Sequence, residues 1–287
     1  MTVQSIAEKR SPSRTDTLLR LEISDALRSR WLAFTGCTYA GVFGLFVWLG
    51  LRESSVLGFT GISRVVLNAS NAIVLVLPLV ALIATCQSVV RARTSGYFEL
   101  FLTHPCERRD WLHAVIGSRL IVLGGPLFVV LLAAALGGYA SGERVVGGLV
   151  VQSALIGACL VWAFVGVGLF ISSMSKSSER AIVLALLAWL FAVSIHDFAV
   201  IGLLLKMRLA PPAVFGLAAA NPLELARLSL LSSVDPDLGV LGPVGFWIAN
   251  YLGPRWTFAA GVSWPFVIGA VTLGLADRRL RAIDLVG

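Results

Sequence analysis

Two apolar runs of membrane length, Asn71 to Val90 and Leu120 to Ala140, are held apart by a polar island that reads RARTSGYFELFLTHPCERRDWLHAVIGSR from Arg91 to Arg119. Apolar runs of about 20 residues cross a bilayer as helices, because a backbone in lipid has to satisfy its own hydrogen bonds. The island therefore lies outside lipid, and the chain must turn there. Tyr97, Phe98, Phe101 and Leu102 gather on one face of a short helix. Pro105 then breaks that helix and lets a second one start, charged by Glu107, Arg108, Arg109 and Asp110. An aromatic face outside the membrane needs something to bury it. Two surfaces would do so: a soluble partner protein, or anionic head groups under an amphipathic elbow whose arginines meet lipid phosphate.

The same alternation of greasy and polar segments runs through all 287 residues, of which 57% are hydrophobic and 14% charged. With a mean hydropathy of +0.86, the chain is an integral membrane protein with all-α spans. Its net charge of +7 does not indicate nucleic acid, since Arg and Lys cluster beside apolar runs and no soluble stretch is long enough to carry a basic recognition surface. The first thirty or so residues are polar and charged, so no signal peptide is expected. Cys37, Cys86 and Cys159 fall inside apolar runs and Cys106 in the island, which gives neither a disulfide framework nor a CxxC motif.

In order, residues 1–17 form a polar tail, and Leu19, Ile23, Leu27 and Trp31 recur at helical spacing in an amphipathic helix expected to lie in the membrane plane. The first span is Trp31 to Leu51, with Gly36, Gly41 and Gly44 available for close helix contact. Asn71 to Val90 is the second, with a kink expected at Pro78, and Leu120 to Ala140 is the third, with a bend at Gly124-Gly125-Pro126. The fourth, Gly147 to Met174, carries the small-residue pairs Ser153/Gly157 and Ala154/Ala158. A polar turn from Ser175 to Arg180 leads to the fifth, Ala181 to Leu205.

Residues 206–256 are too apolar for a free loop and too broken by Pro and Gly for one span, so re-entrant or interfacial helices are expected there. Inside them Asn221-Pro222-Leu223-Glu224 has the grammar of a helix start: Asn as cap, Pro at the first position, Glu placed to reach back. Trp247, Tyr251 and Trp256 suit a membrane boundary. Thr257 to Ala276 is the sixth span, and Asp277 to Gly287 is a basic tail. The N-terminal segment, island, Ser175 turn and tail hold sixteen of the twenty-three Arg and Lys residues, which puts them and both termini in the cytoplasm.

Residues able to do chemistry are sparse. The three lysines, Lys9, Lys176 and Lys206, follow no glycine, so there is no phosphate-binding G-x-x-x-x-G-K-[ST] loop. His196-Asp197 is placed near the middle of the fifth span, where an ionised carboxylate costs roughly 2.5–3.5 kcal/mol unless paired. Asp197 should then face protein or water, either as a proton or cation relay or as an interhelical hydrogen bond that fixes packing, with His196 turned to another neighbour. Packing is the expectation carried forward. An intramembrane enzyme built on the pair would need a nucleophile or second acid at the same depth, and the sequence shows none. His104, Cys106 and His113 are too loosely spaced to be assigned a metal, so neither a metal site nor a cofactor is expected on this chain.

The segment EISDALRSRWL at Glu22 to Leu32, and GYFELFLTHPCERRDWLHAVIGSRL at Gly96 to Leu120, resemble the membrane subunits of type-2 ABC transporters. The resemblance implies an in-plane helix followed by six spans, a single permease domain at 18–287, and a homodimer in the plasma membrane of a bacterium or archaeon. It also implies a coupling loop at 91–119 that docks on two copies of a separate ATPase, which would bind the ATP and Mg. The coupling helix would comprise Gly96, Tyr97, Phe98, Glu99, Phe101, Leu102 and Thr103, with Pro105 and Arg108 or Arg109 matching the family's proline and arginine. The chain departs from the pattern just before it, where an acidic cluster is replaced by Arg91-Ala92-Arg93-Thr94-Ser95.

Within the family, GFT at Gly58 to Thr60, LPLVAL at Leu77 to Leu82, Asp197 and NPLELARL at Asn221 to Leu228 look like the permeases that support copper-centre maturation of nitrous oxide reductase. That likeness implies a periplasmic copper-handling partner contacted through Asn221, Pro222, Glu224 and Arg227, with the permease transmitting force instead of conducting a metal. The rival within transport is an exporter of a lipid, drug or peptide along the dimer interface. The charge asymmetry predicts that a membrane-impermeant maleimide leaves a single-cysteine Cys106 variant unlabelled in intact cells and labels it after permeabilisation; labelling in intact cells would reverse the topology.

Overall fold

Apolar runs that cannot bond to water become helices of a length fixed by the bilayer, at 1.5 Å per residue across about 30 Å. A computed structural model describes residues 20–24, 27–28, 30–57, 62–98, 108–140, 147–207 and 209–282, and every regular element among them is helical. Residues 20–24 and 27–28, within the expected in-plane segment, are followed by α1 (Arg30–Leu57), α2 (Ile62–Thr85), the short α3 (Ser88–Thr94), α4 (Arg108–Ala140) and α5 (Gly147–Met174). Then come α6 (Ser178–Leu190), a π turn (Phe191–Ile195), α7 (His196–Lys206), α8 (Pro211–Ala219), α9 (Pro222–Val234), α10 (Gly242–Tyr251) and α11 (Gly253–Ala282).

Five stretches are long and apolar enough to cross a membrane: Ala72–Thr94, Arg108–Leu136, Gly147–Met174, Ser178–Leu204 and Gly253–Ala282. α1, whose described apolar part is Leu32–Leu45, has 28 residues and adds a sixth of sufficient length. α8 and α9 meet at 117°. At about 14 and 20 Å neither is long enough to cross alone, and the pair forms a bent helical hairpin within 206–256, the stretch for which re-entrant or interfacial helices are expected.

Several boundaries differ from the sequence expectation. The helix that carries the third span begins at Arg108, inside the polar island and ahead of the apolar run, because Trp111, Leu112 and Val115 give its first turns a face to bury. α11 continues to Ala282, so the first part of the basic tail is helical. Pro78 and Pro126 both lie within uninterrupted helices, and the break after the second span comes instead at Cys86-Gln87.

The bundle is built around α2 and α5. Inside the chain 67% of the α2–α3 apolar window and 61% of that of α5 are buried, against 11% for the fifth span. Helices in lipid gain little from hydrophobic burial and associate through close packing, which small residues permit. A Cβ on Gly168 of α5 would lie 1.9 Å from Thr85 Oγ1 of α2, and one on Gly157 would lie 2.5 Å from Leu127 Cδ2 of α4. On the facing helix a Cβ on Gly269 would lie 2.2 Å from Trp162 Cδ1, whose indole stacks on Phe266 at 5.7 Å and donates to its carbonyl at 3.0 Å. The glycines of α1 are used less than their spacing suggested. Gly36 meets Pro126 of α4 at an ordinary 3.9 Å, while Gly41 and Gly44 have nothing within 4 Å.

These contacts predict that Gly168→Val lowers the midpoint of thermal unfolding in detergent, with overpacking costing about 1–3 kcal/mol. Gly274→Ala, where a Cβ meets open space, should leave the midpoint unchanged; equal effects at the two positions would show that the α2–α5 approach is not the tight one.

Candidate functional site

Two polar assemblies interrupt the apolar bundle, one at the elbow between the second and third spans and one where the fifth span meets the hairpin. The elbow starts where α2 ends. Thr85 turns its hydroxyl back to Ala81 O at 2.7 Å, and α3 begins without a side-chain cap of its own. Its first amides are satisfied from α5 instead: Val89 N and Val90 N both donate to Ser172 Oγ, at 3.0 and 3.2 Å. Orphan amides at a helix start need such an acceptor, and here a neighbouring helix supplies it. Arg93 Nη2 then donates to Ser175 O at 2.8 Å, a carbonyl just beyond the C-terminal end of α5, where a cation also suits the helix dipole.

Gly96 ends this segment with φ at +71°, a left-handed conformation that a residue with a Cβ would adopt only with strain. Tyr97 and Phe98 follow, and they do not share an outward face. Phe98 is 1% exposed and packs edge-on against Trp111 of α4, with ring centroids 4.8 Å apart. Tyr97 remains 38% exposed. The expectation that both rings point at a partner is thus corrected for Phe98, which α4 buries within the chain. Glu99, Phe101, Leu102, Thr103 and Pro105 lie outside the described residues, as do His104 and Cys106, while His113 is exposed on α4.

Arg108 and Arg109 connect the elbow to the last span. Arg108 Nη1 donates to Leu280 O at 3.0 Å, near the C-terminal end of α11. Arg109 Nη2 lies 3.4 Å from Asp277 Oδ2, a carboxylate that Arg281 also holds. Arg108 therefore spends a guanidinium nitrogen inside the chain, whereas the Arg109 side chain keeps 53% of its surface open. The second and third spans and the elbow between them are in this way fastened to the ends of both α5 and α11.

The second assembly joins residues that stand as two separate features in the sequence. His196 and Asp197 sit at the start of α7, directly after the π turn. Counted from Ser178, where the Ser177 side chain accepts from Arg180 N and caps the helix, Asp197 lies about 28 Å along the span. That is beyond the midpoint of the apolar stretch Ser178–Leu204 and still within it.

Asp197 Oδ2 is 3.9 Å from Arg227 Nη1 on α9, and Asp197 Oδ1 is 3.5 Å from His196 Nδ1. His196 Nε2 lies 3.0 Å from Leu217 O on α8, so the histidine does have a different neighbour. Arg227 also donates to Glu224 Oε1 at 2.7 Å. Glu224 thus pairs one turn forward along its helix, and does not reach back as a capping-box residue. Asn221 caps α9 as expected, its Oδ1 accepting from Leu223 N at 3.0 Å, with Pro222 at the first helical position.

The same asparagine makes a bond that the sequence did not suggest. Its Nδ2 donates to Ala192 O at 2.6 Å, inside the π turn of the fifth span. A π turn redirects backbone carbonyls from the regular i+4 pattern, and such turns recur at functional sites. No motif marks this one; the overlooked signal was a cap residue with an amide still free after capping.

Magnitudes decide which tie matters more. The Asp197–Arg227 pair is long and its side chains are 32% and 39% exposed, so it contributes on the order of 0–1 kcal/mol. Asn221 is 4% exposed, and losing its amide removes a cap worth about 0.5–2 kcal/mol and strands a buried carbonyl at about 1–3 kcal/mol. Asn221→Ala should accordingly lower the thermal midpoint in detergent well below that of Asp197→Asn, which should stay close to the parent; the reverse order would make the ion pair the principal tie.

Against known proteins, the family model described as ABC-2 family transporter protein matches residues 17–244. The "Probable ABC transporter permease protein NosY" of Stutzerimonas stutzeri is 25% identical over 268 residues, covering 90% of this chain and 94% of that protein. A protein of the same description from Pseudomonas aeruginosa is 29% identical over 233 residues, covering 76% of this chain and 82% of that protein.

Proposed function

The chain belongs to the ABC-2 family of transporter proteins as a multi-pass permease subunit, and from that premise we propose that it carries ATP-driven motion of two cytoplasmic ATPase subunits to the outer face of the membrane. In this reading it works as a homodimer in the plasma membrane with both termini in the cytoplasm. The loop 91–119 receives the stroke, and the interfacial region 206–256 delivers it. ATP and Mg are bound by the partner subunits, and the family supplies transport components that are not themselves catalysts.

The observation that carries the reading is mechanical continuity. The elbow holds the end of α5 through Ser172 and Ser175 and the end of α11 through Leu280. α5 and α11 are packed at glycine distance, Gly269 against Trp162. At the far end α11 is equally close to the hairpin, since a Cβ on Gly261 would lie 2.5 Å from Ser229 Cβ of α9. Packed helices are bistable elements that shift as units, so a displacement at the elbow reaches α9 with little loss. Copper-site maturation of nitrous oxide reductase is the process we infer for it, with Pro222, Glu224 and Arg227 facing a periplasmic copper-handling protein, while Asn221, expected to face it as well, is buried and ties their helix to the fifth span. The landmarks NPLELARL and Asp197 support that reading, and the structure brings them together.

Tyr97 and Arg109 are both exposed on the elbow and belong to the expected contact set, so they are altered to test the ATPase contact. Tyr97→Ser with Arg109→Glu should reduce recovery of the cognate ATPase with the purified permease at least about tenfold, the loss of an interface anchor. Arg93→Gln should leave that recovery intact while lowering nitrous oxide reductase maturation in cells, because it loosens the elbow from α5. Full recovery with the double variant would remove the elbow as the docking point. Normal maturation with Arg93→Gln would remove the proposed transmission route.

A further inference from the structure

An open cleft of about 580 Å³ lies beside the elbow, and Ser88, Arg91, Tyr97, Trp111, Arg119 and Glu22 are among its lining residues. Two buried polar atoms on its wall have no hydrogen-bond partner, Ser88 Oγ and Arg119 Nε. Buried donors are satisfied in the great majority of folded proteins, so two on one wall mark a place where a ligand or water completes the site.

The level of the two arginines identifies the ligand. Arg91 is the first residue after the apolar run Asn71 to Val90, and Arg119 is the last before the run Leu120 to Ala140. Each run is about 30 Å long as a helix and matches the hydrocarbon core. Two antiparallel spans thus place a guanidinium at the same boundary, where lipid phosphates lie, and the aromatic rings of Tyr97 and Trp111 suit that depth. Both Glu22 and Arg91 are near enough to Arg119 to act on it electrostatically. A carboxylate at the rim disfavours a purely anionic headgroup and favours one that also carries a cation.

We propose that this cleft is a binding site for a phospholipid bearing a primary amine, with its phosphate between Arg91 and Arg119 and its ammonium toward Glu22. Ser88 Oγ supplies a further donor to the phosphate oxygens. Guanidinium groups suit the phosphate because they present paired N–H donors in a fixed plane. An ammonium offers N–H donors to Glu22, and a trimethylated amine offers none. The lipid wedged here would touch α3 and α4 together and so bear on the posture of the elbow.

The test uses the full chain purified in mild detergent, with bound lipid counted by native mass spectrometry after titration with phosphatidylethanolamine, phosphatidylcholine or phosphatidylglycerol of identical acyl chains. The parent protein should retain phosphatidylethanolamine in preference to the other two. Arg91→Gln, a change at an exposed side chain, should weaken that retention about tenfold, the loss of a charged hydrogen bond. Glu22→Gln should abolish the preference for phosphatidylethanolamine over phosphatidylglycerol. Undiminished retention in Arg91→Gln overturns the proposal. So does displacement of the lipid by millimolar inorganic phosphate, which would make the site one for a soluble anion.

Discussion

The close approach of α5 to its neighbours is the constraint on which the rest of the molecule depends. In lipid the apolar side chains have no water to escape, and helices hold together by dispersion between surfaces that fit. α5 meets α2 at Gly168, α4 at Gly157 and α11 at Trp162. Each contact leaves no room for a methyl group. The peripheral fifth span has no comparable neighbour along its apolar length, which is why a polar fastening at its outer end has so much to do.

Several of the polar ties between elements sit at the ends and breaks of helices, where the backbone leaves donors and acceptors unfilled. The molecule spends its few polar side chains on them. Ser172 fills two amides at the start of α3, Arg93 and Arg108 fill carbonyls at the ends of α5 and α11, and Asn221 fills one in the π turn. Each joins elements distant in sequence. The same bonds that remove unsatisfied groups therefore also fasten the elbow to α5 and α11 and the fifth span to the hairpin.

The spans were legible because bilayer thickness translates directly into run length, and the Asn221 cap because its geometry is set by three consecutive residues. Orientation across a break was not legible. Phe98 was read as outward because its helical neighbours are aromatic, but its facing partner Trp111 lies beyond Pro105 and no local period connects the two. The α1 glycines show a further limit. Small-residue spacing tells where a helix can be approached, and only the neighbouring helix decides whether it is, so Gly41 and Gly44 stand open while Gly168 is tightly filled.

The π turn at Phe191–Ile195 amounts to one surplus residue in an otherwise regular helix. A residue added to an α-helix advances the azimuth of everything after it by about 100°. Without that phase shift His196 and Asp197 would be carried around the helix and away from Leu217 and Arg227. The cluster of His196, Asp197 and Arg227 therefore depends on that one surplus residue as much as on its own side chains, and the hairpin is seated on a span whose helical phase has shifted.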